Sequence, residues 1–279
     1  MHSALEVIEF STGIRTVVHR AEERIEAPNW SPDGRCLVFN SLGLLYRLPR
    51  AGGVPVKIDT GALDRLNNDH GFSPDGKWIA LSDKSEPDGK SRIWVIPADG
   101  GTPQLVTPQA PSYWHGWSPD GRTHVYVAAR GGERWLNLYC CPAQGGAETR
   151  LTVTDGADDG PDYSPDGRFI YFNSMRNGNM KIWRMDADGS RPEQLTFEPE
   201  TRDWFPHPSP DGKWIVFMSF NTDVPVPDHP PGKNVTLRVM PASGGAPRVL
   251  ARFVGGQGSF NVPSWAPDGR HFAFVSYEL

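Results

Sequence analysis

The feature that most constrains the fold is the tetrapeptide Ser-Pro-Asp-Gly, which recurs along the chain at similar intervals. Successive copies lie 42 to 57 residues apart. A period of about 40 to 50 residues is typical of repeat proteins, in which each repeat is one supersecondary unit. We therefore expect a single domain spanning residues 1–279. The copies begin at Ser31, Ser73, Ser118, Ser164, Ser209 and, with alanine in place of serine, Ala266.

Each copy of the tetrapeptide has the chemistry of a tight turn between two antiparallel strands. Proline presets φ at the second position, aspartate bonds to nearby backbone, and glycine tolerates the last position. In the second repeat, apolar runs follow the turn at 78–81, 92–96 and 104–106, and a Gly-rich turn separates the last two. Four short strands per unit are typical of a propeller blade. The sequence thus predicts an all-β, six-bladed β-propeller with four antiparallel strands per blade, named A to D outward from the centre.

The two ends of the chain complete the sixth blade. The last repeat stops after its second strand at 271–277, whereas residues 4–10 and 14–18 form a spare hairpin before the first A strand. We expect this N-terminal C–D hairpin to pair with the C-terminal A–B hairpin and close the ring, which would leave no free sheet edge there.

Composition argues against several classes of partner. A formal charge of −5 gives no basic surface for nucleic acid. The sequence contains neither a signal peptide nor an apolar run of membrane-spanning length, so we expect a cytoplasmic protein without membrane contact. Cys36, Cys140 and Cys141 are expected to be reduced thiols.

The repeats, with an aromatic residue before Ser-Pro-Asp-Gly and segments such as Lys181-Ile-Trp-Arg-Met185, resemble the TolB-like six-bladed β-propellers. The resemblance covers the whole chain and implies the propeller fold. TolB itself has an additional N-terminal domain and acts in the periplasm. We find neither that domain nor a signal sequence here, so the resemblance says little about function.

The candidate site lies just before each turn, where the innermost strands of all blades converge on one axis. Three histidines occupy nearly equivalent positions there: His70, His115 and His207. Imidazoles combined with carboxylate or amide oxygens suit Mn, Zn, Fe or Ni, and we consider a divalent metal held by these histidines with Gln257.

The surrounding polar and aromatic residues suggest a second, compatible function, the binding of a polar small molecule or saccharide. Two alternatives stay open: a face that docks a protein or peptide without catalysis, and a wet channel whose polar walls hold ordered water. The candidate ligand-binding residues are Asn68, Asp69, Tyr113, Trp114, Asp159, Asp162, Trp204 and Asn261.

The segment Phe205-Pro-His-Pro-Ser is also similar to a segment of the oligogalacturonate lyases, seven-bladed propellers that hold Mn through histidines and a glutamine. This resemblance implies that His207 is a metal ligand and that a metal-dependent uronate lyase is a further alternative. The chain departs from that family in blade number and in having one histidine in the segment.

The residues of the turns are assigned to the scaffold, and one insertion is assigned to the control of access to the channel. The aspartates of the six turns are explained by turn chemistry, and Trp30, Trp117 and Trp265 are expected to pack between blades. A proline-rich insertion at 221–233, between strands B and C of blade five, is expected to overhang the channel mouth.

Overall fold

The structure, a computed structural model, describes residues 2–278. It forms six antiparallel sheets arranged as the blades of a β-propeller, as predicted. Blades one to five each consist of four consecutive strands, beginning with β3, β7, β11, β15 and β19. Residues 2–278 contain no helix long and apolar enough to span a membrane. The strands are β1 (His2–Glu9), β2 (Arg15–Ala21), β3 (Ile25–Trp30), β4 (Cys36–Ser41), β5 (Leu44–Pro49), β6 (Val56–Lys57), β7 (Leu66–Phe72), β8 (Trp78–Asp83), β9 (Arg92–Pro97), β10 (Gln104–Leu105), β11 (Ser112–Trp117), β12 (Thr123–Ala128), β13 (Asn137–Pro142), β14 (Thr149–Arg150), β15 (Asp158–Tyr163), β16 (Phe169–Ser174), β17 (Lys181–Asp186), β18 (Glu193–Gln194), β19 (Thr201–Pro208), β20 (Trp214–Asn221), β21 (Lys233–Pro241), β22 (Arg248–Gly255) and β23 (His271–Glu278).

Blade six joins the two ends of the chain, which confirms the predicted closure. β1 lies between β2 and β23 and pairs antiparallel with both. The buried Glu6 carboxylate links all three strands, since it accepts hydrogen bonds from Arg15 on β2 and from Ser276 on β23. The A strand of this blade is reduced to one bridge between Trp265 and Phe272.

The Ser-Pro-Asp-Gly turns are scaffold, as predicted. In blade one, Ser31 Oγ donates to Asp33 Oδ1 over 2.6 Å and accepts the backbone N–H of Cys36. Asp33 also accepts the N–H of Arg35, and these hydrogen bonds lower the pKa of its carboxyl group. Gly34 has a φ of 69°, which favours glycine. The other four complete turns repeat this pattern.

The same turns also form contacts between blades. A side-chain carbon added at Gly34 would lie 3.2 Å from Pro267 of blade six, and one at Gly76 would lie 3.6 Å from Pro32 of blade one. In blades one to five, the turn glycine thus faces the turn proline of the preceding blade. Gly269 is the exception, because an added carbon there would meet no atom within 4 Å. The other pairs are Gly121 with Pro74, Gly167 with Pro119, and Gly212 with Pro165.

The aromatic residue before each of three turns packs between blades. Trp30 belongs to an apolar cluster that combines blade one with Leu5 and Val275 of blade six. The indole N–H groups of Trp117 and Trp265 donate to backbone carbonyls of the preceding blades. This confirms the scaffold assignment of these residues. Cys36, Cys140 and Cys141 are free thiols, also as expected.

Candidate functional site

The innermost strands are irregular where they approach the channel. A β-bulge interrupts the pairing of the A strand in each of blades one to five. In three of them, the residue before a proline adopts the left-handed conformation: Ala27, Gly160 and Phe205. A bulge shifts the alternation of side chains along a strand, so residues on its two sides face different surroundings.

These strands surround a cavity of about 560 Å³ at the channel mouth, to which all six blades contribute side chains. Its wall combines carboxylates, amides and cationic groups with the aromatic rings of Tyr113 and Phe205. Seven of the twelve predicted site residues lie in this wall: Asn68, Asp69, Tyr113, His115, Asp159, Gln257 and Asn261.

His115 forms hydrogen bonds through both of its ring nitrogens. Its Nε2 lies 3.0 Å from Asp159 Oδ1, and its Nδ1 lies 3.2 Å from the carbonyl oxygen of Asn261. A carboxylate and a carbonyl only accept hydrogen bonds, so both ring nitrogens are placed to donate, as in an imidazolium. Burial disfavours that charge, but the hydrogen bond to Asp159 and the charges of Asp159 and Asp69 outweigh it and raise the pKa of His115.

The pKa values of the two carboxyl groups near His115 are shifted in opposite directions. Burial opposes ionisation of Asp159, but its hydrogen bond to His115, the charge of that imidazole and the N–H of Gly160 together lower the pKa of Asp159. Among the residues that the structure describes, Asn67 is the only one whose side chain hydrogen-bonds to Asp69. Burial raises the pKa of Asp69 to about 6, an effect that His115 reduces and the charge of Asp159 increases.

A second network crosses the mouth between blades one, two and six. Arg24 pairs with Glu26 at 2.5 Å, and Asn68 Nδ2 donates to the same Glu26 oxygen at 3.3 Å. Gln257 Nε2 donates to Asn68 Oδ1, whereas Gln257 Oε1 is buried without a hydrogen-bond partner in residues 2–278. Burial raises the pKa of Glu26, although Arg24 partly offsets the effect.

Three predicted site residues are buried in the blades rather than in the cavity wall. The Trp114 indole donates to His124 Nδ1 over 3.0 Å, and its ring covers Gly71. Trp204 packs against His229, with ring centroids 4.1 Å apart. His70 is fully buried, and burial lowers the pKa of its imidazole to about 3, so the ring is neutral. None of the three offers a face to a ligand in the cavity.

The last two predicted residues, Asp162 and His207, lie closer to the turns than the cavity wall does and are hydrogen-bonded to each other. His207 Nδ1 lies 3.0 Å from Asp162 Oδ2, and its Nε2 lies 3.2 Å from the carbonyl oxygen of Phe260. Asn29 and Ser264 bridge neighbouring blades at the equivalent positions. All four side chains are buried, so we describe them as the channel floor.

The predicted metal ligands do not form a donor set that fits a metal ion. Both ring nitrogens of His115 and of His207 are engaged in hydrogen bonds, and His70 is not part of the cavity wall. Among residues 2–278, no group of three or more His, Cys, Asp or Glu side chains is arranged to hold a metal.

Nine of the sixteen residues that line the cavity are not among the predicted site residues, and they include Arg24, Lys84, Phe205 and His229. Arg24 and Lys84 lie in loops outside the repeated positions. In the sequence, Phe205 stands out only as part of the segment that contains His207. Its φ of 54° is unusual for a bulky residue. His229 belongs to the insertion at 221–233, so its presence in the wall confirms that this insertion overhangs the mouth.

Comparison with known proteins places these features in context. The TolB beta propeller domain family matches residues 110–226. An uncharacterised protein of Agrobacterium fabrum is 50% identical over 99% of this chain and 93% of its own length. A solved Agrobacterium tumefaciens structure, provisionally named TolB, is also 50% identical, with a TM-score of 0.95 over 100% of this chain and 99% of its own.

More distant relatives share only part of their length or only the fold. The Tol-Pal system protein TolB of Francisella tularensis is 25% identical over 74% of this chain, which spans about half (48%) of that protein. A solved oligogalacturonate lyase in complex with manganese has a TM-score of 0.58 at 15% identity, covering 91% of this chain and 74% of its own. At that identity the likeness concerns the fold alone.

Proposed function

Because this chain belongs to the TolB-like β-propeller family, whose fold leaves function to individual sites, we propose that it binds a polar, sugar-like small molecule in the channel-mouth cavity. The observation that carries the proposal is the composition of the cavity wall. Amides, carboxylates and cationic groups from five blades surround one space, beside the rings of Tyr113 and of Phe205, which belongs to blade five. Convergent hydrogen-bonding groups beside aromatic faces are the usual features of a small-molecule site.

The dimensions of the site also favour a small ligand. A volume of about 560 Å³ lies within the range of small-molecule pockets, about 300 to 1,000 Å³. The four side chains of the channel floor are buried, and the insertion at 221–233 contributes His229 to the cavity wall. These features fit a compact molecule better than a docked protein loop.

The proposal does not include a metal ion. The histidines that would supply the ligands are engaged in hydrogen bonds or lie outside the cavity, so we derive no metal-dependent step. The lyase alternative depends on such a metal and is not part of the proposal.

A thermal-shift screen with sugars, amino sugars and sugar acids tests the proposal. A bound ligand stabilises the folded state by mass action, so at least one compound should raise Tm. Tyr113→Ala should abolish that rise, because it removes an aromatic wall of the cavity. Tyr46→Ala is the matched control, since Tyr46 is also half-buried but lies outside the mouth. A rise that survives in Tyr113→Ala, or no rise with any compound, would count against the proposed site.

A further inference from the structure

The charged side chains of the cavity wall are not all compensated. Arg24 is paired with Glu26, and His115 with Asp159. Such pairs satisfy one another and leave little net charge for a ligand to meet. The groups that can select a ligand by charge are therefore those left outside these two pairs.

Asp69 and Lys84 are those two groups. Within residues 2–278, neither has an ion-pair partner within 4 Å, although both lie in the cavity wall. Asp69 is only 5% exposed, and its Oδ1 accepts no hydrogen bond from the residues that the structure describes. A buried carboxylate with an unused oxygen is costly unless a partner arrives.

The two groups lie close to the same aromatic ring. Lys84 Nζ is 5.8 Å from the ring centroid of Tyr113. Asp69 is near enough to this tyrosine that, after burial, its charge is the next cause that raises the pKa of the phenol. A small molecule lying against Tyr113 can therefore meet a carboxylate and an ammonium group of the protein at the same time.

Building on the proposed function, we propose that the ligand is zwitterionic, with an ammonium group bound by Asp69 and a carboxylate bound by Lys84. Its hydroxyl groups then meet the amides of Asn67, Asn68 and Gln257. A neutral sugar would leave Asp69 buried without a counter-charge, and an anionic sugar would satisfy Lys84 alone. Charge complementarity of this kind mainly selects between ligands of similar shape.

Four open-chain compounds of similar size and shape separate these possibilities: D-glucosaminic acid, D-gluconate, D-glucosaminitol and D-glucitol. Titration calorimetry at pH 7.5 should give D-glucosaminic acid the highest affinity. Each matched charge should contribute about tenfold in Kd, which is typical of one charge-assisted hydrogen bond.

Two isosteric variants assign the charges to residues. Asp69→Asn should remove the advantage of D-glucosaminic acid over D-gluconate, and Lys84→Met should remove its advantage over D-glucosaminitol. Lys77→Met, at an exposed turn position, is the control and should change neither ratio. Unchanged melting curves or higher Tm values would show that the variants are folded.

Each contrary outcome refutes a distinct statement. If D-glucitol, D-glucosaminitol or D-gluconate binds as tightly as D-glucosaminic acid, the zwitterion inference is wrong and the proposed function stands. If D-glucosaminic acid binds best in both variants as well, the assignment to Asp69 and Lys84 is wrong. If none of the four compounds binds, this inference is refuted, and the wider thermal-shift screen decides the proposed function.

Discussion

Replacing Asp69 with asparagine should make the free protein more stable at neutral and alkaline pH. The pKa of Asp69 rises from an ordinary value of 3.8 to about 6, mainly because of burial. Each pKa unit corresponds to 1.36 kcal/mol, so ionised Asp69 costs the native state about 3 kcal/mol. Asparagine carries no charge and can still accept the hydrogen bond from Asn67.

The pH dependence follows from the direction of this shift. The native carboxyl group keeps its proton up to about pH 6, whereas the unfolded chain releases it near pH 3.8. Between these values the native state binds more protons, so wild-type stability falls as pH rises and the cost is complete above pH 6. Urea unfolding followed by tryptophan fluorescence should show Asp69→Asn to be more stable by about 3 kcal/mol at pH 8 and by about 1 kcal/mol at pH 4.5.

Asp75→Asn is the matched control, because it replaces an aspartate in a turn rather than at the mouth. Asp75 accepts hydrogen bonds from Ser73 and from the Lys77 backbone, which lower its pKa. Its contribution has the opposite sign, so Asp75→Asn should destabilise the protein at pH 8. Equal stability of wild type and Asp69→Asn at pH 8, or a gain that does not decrease at pH 4.5, would refute the reasoning about Asp69.

Three further predictions concern the channel floor, the blade packing and the metal hypothesis. His207→Ala should lose about 3 kcal/mol or more in urea unfolding, because it leaves Asp162 buried without its partner, yet ligand affinity should persist; loss of affinity without destabilisation would place His207 in the binding site instead. Gly71→Ala should lose about 1 to 3 kcal/mol by overpacking, since the added carbon would lie 2.5 Å from the Trp114 ring, whereas Gly116→Ala, with a nearest contact of 3.3 Å, should lose less. Adding Mn or Zn to the purified protein should not raise its Tm, because both ring nitrogens of His115 and of His207 are engaged in hydrogen bonds; stoichiometric uptake with a rise in Tm would revive the metal hypothesis.

The fold could be predicted because its determinants are local and repeated. Turn chemistry depends on four consecutive residues, and six copies at a similar spacing reinforce one interpretation. Ring closure also followed from the sequence, since a spare hairpin and an incomplete last repeat complement one another. The reduction of the sixth A strand to a single bridge was not foreseen.

The candidate site could be located from the sequence, but the direction of each side chain could not. Asp69 and His115 were predicted as mouth residues and lie in the cavity wall, whereas Trp114 precedes His115 directly and faces the packing between blades. A bulge reverses the alternation of a strand, and its position depends on tertiary contacts. The loop residues Arg24 and Lys84 carry no repeat signal, so only the structure places them at the mouth.

The closure of blade six constrains the order in which strands can pair while the protein is being synthesised. Glu6 and Ser276, which are joined in the finished ring, lie 270 positions apart. At ribosomal rates of about 5 to 20 residues per second, the β1 edge waits on the order of tens of seconds for β23 to be made. During that time Leu5 and Ile8, fully buried in the native ring, have no partner strand on that side. Until β23 is synthesised, the unpaired edge of β1 can therefore bind a chaperone or pair with a second nascent chain.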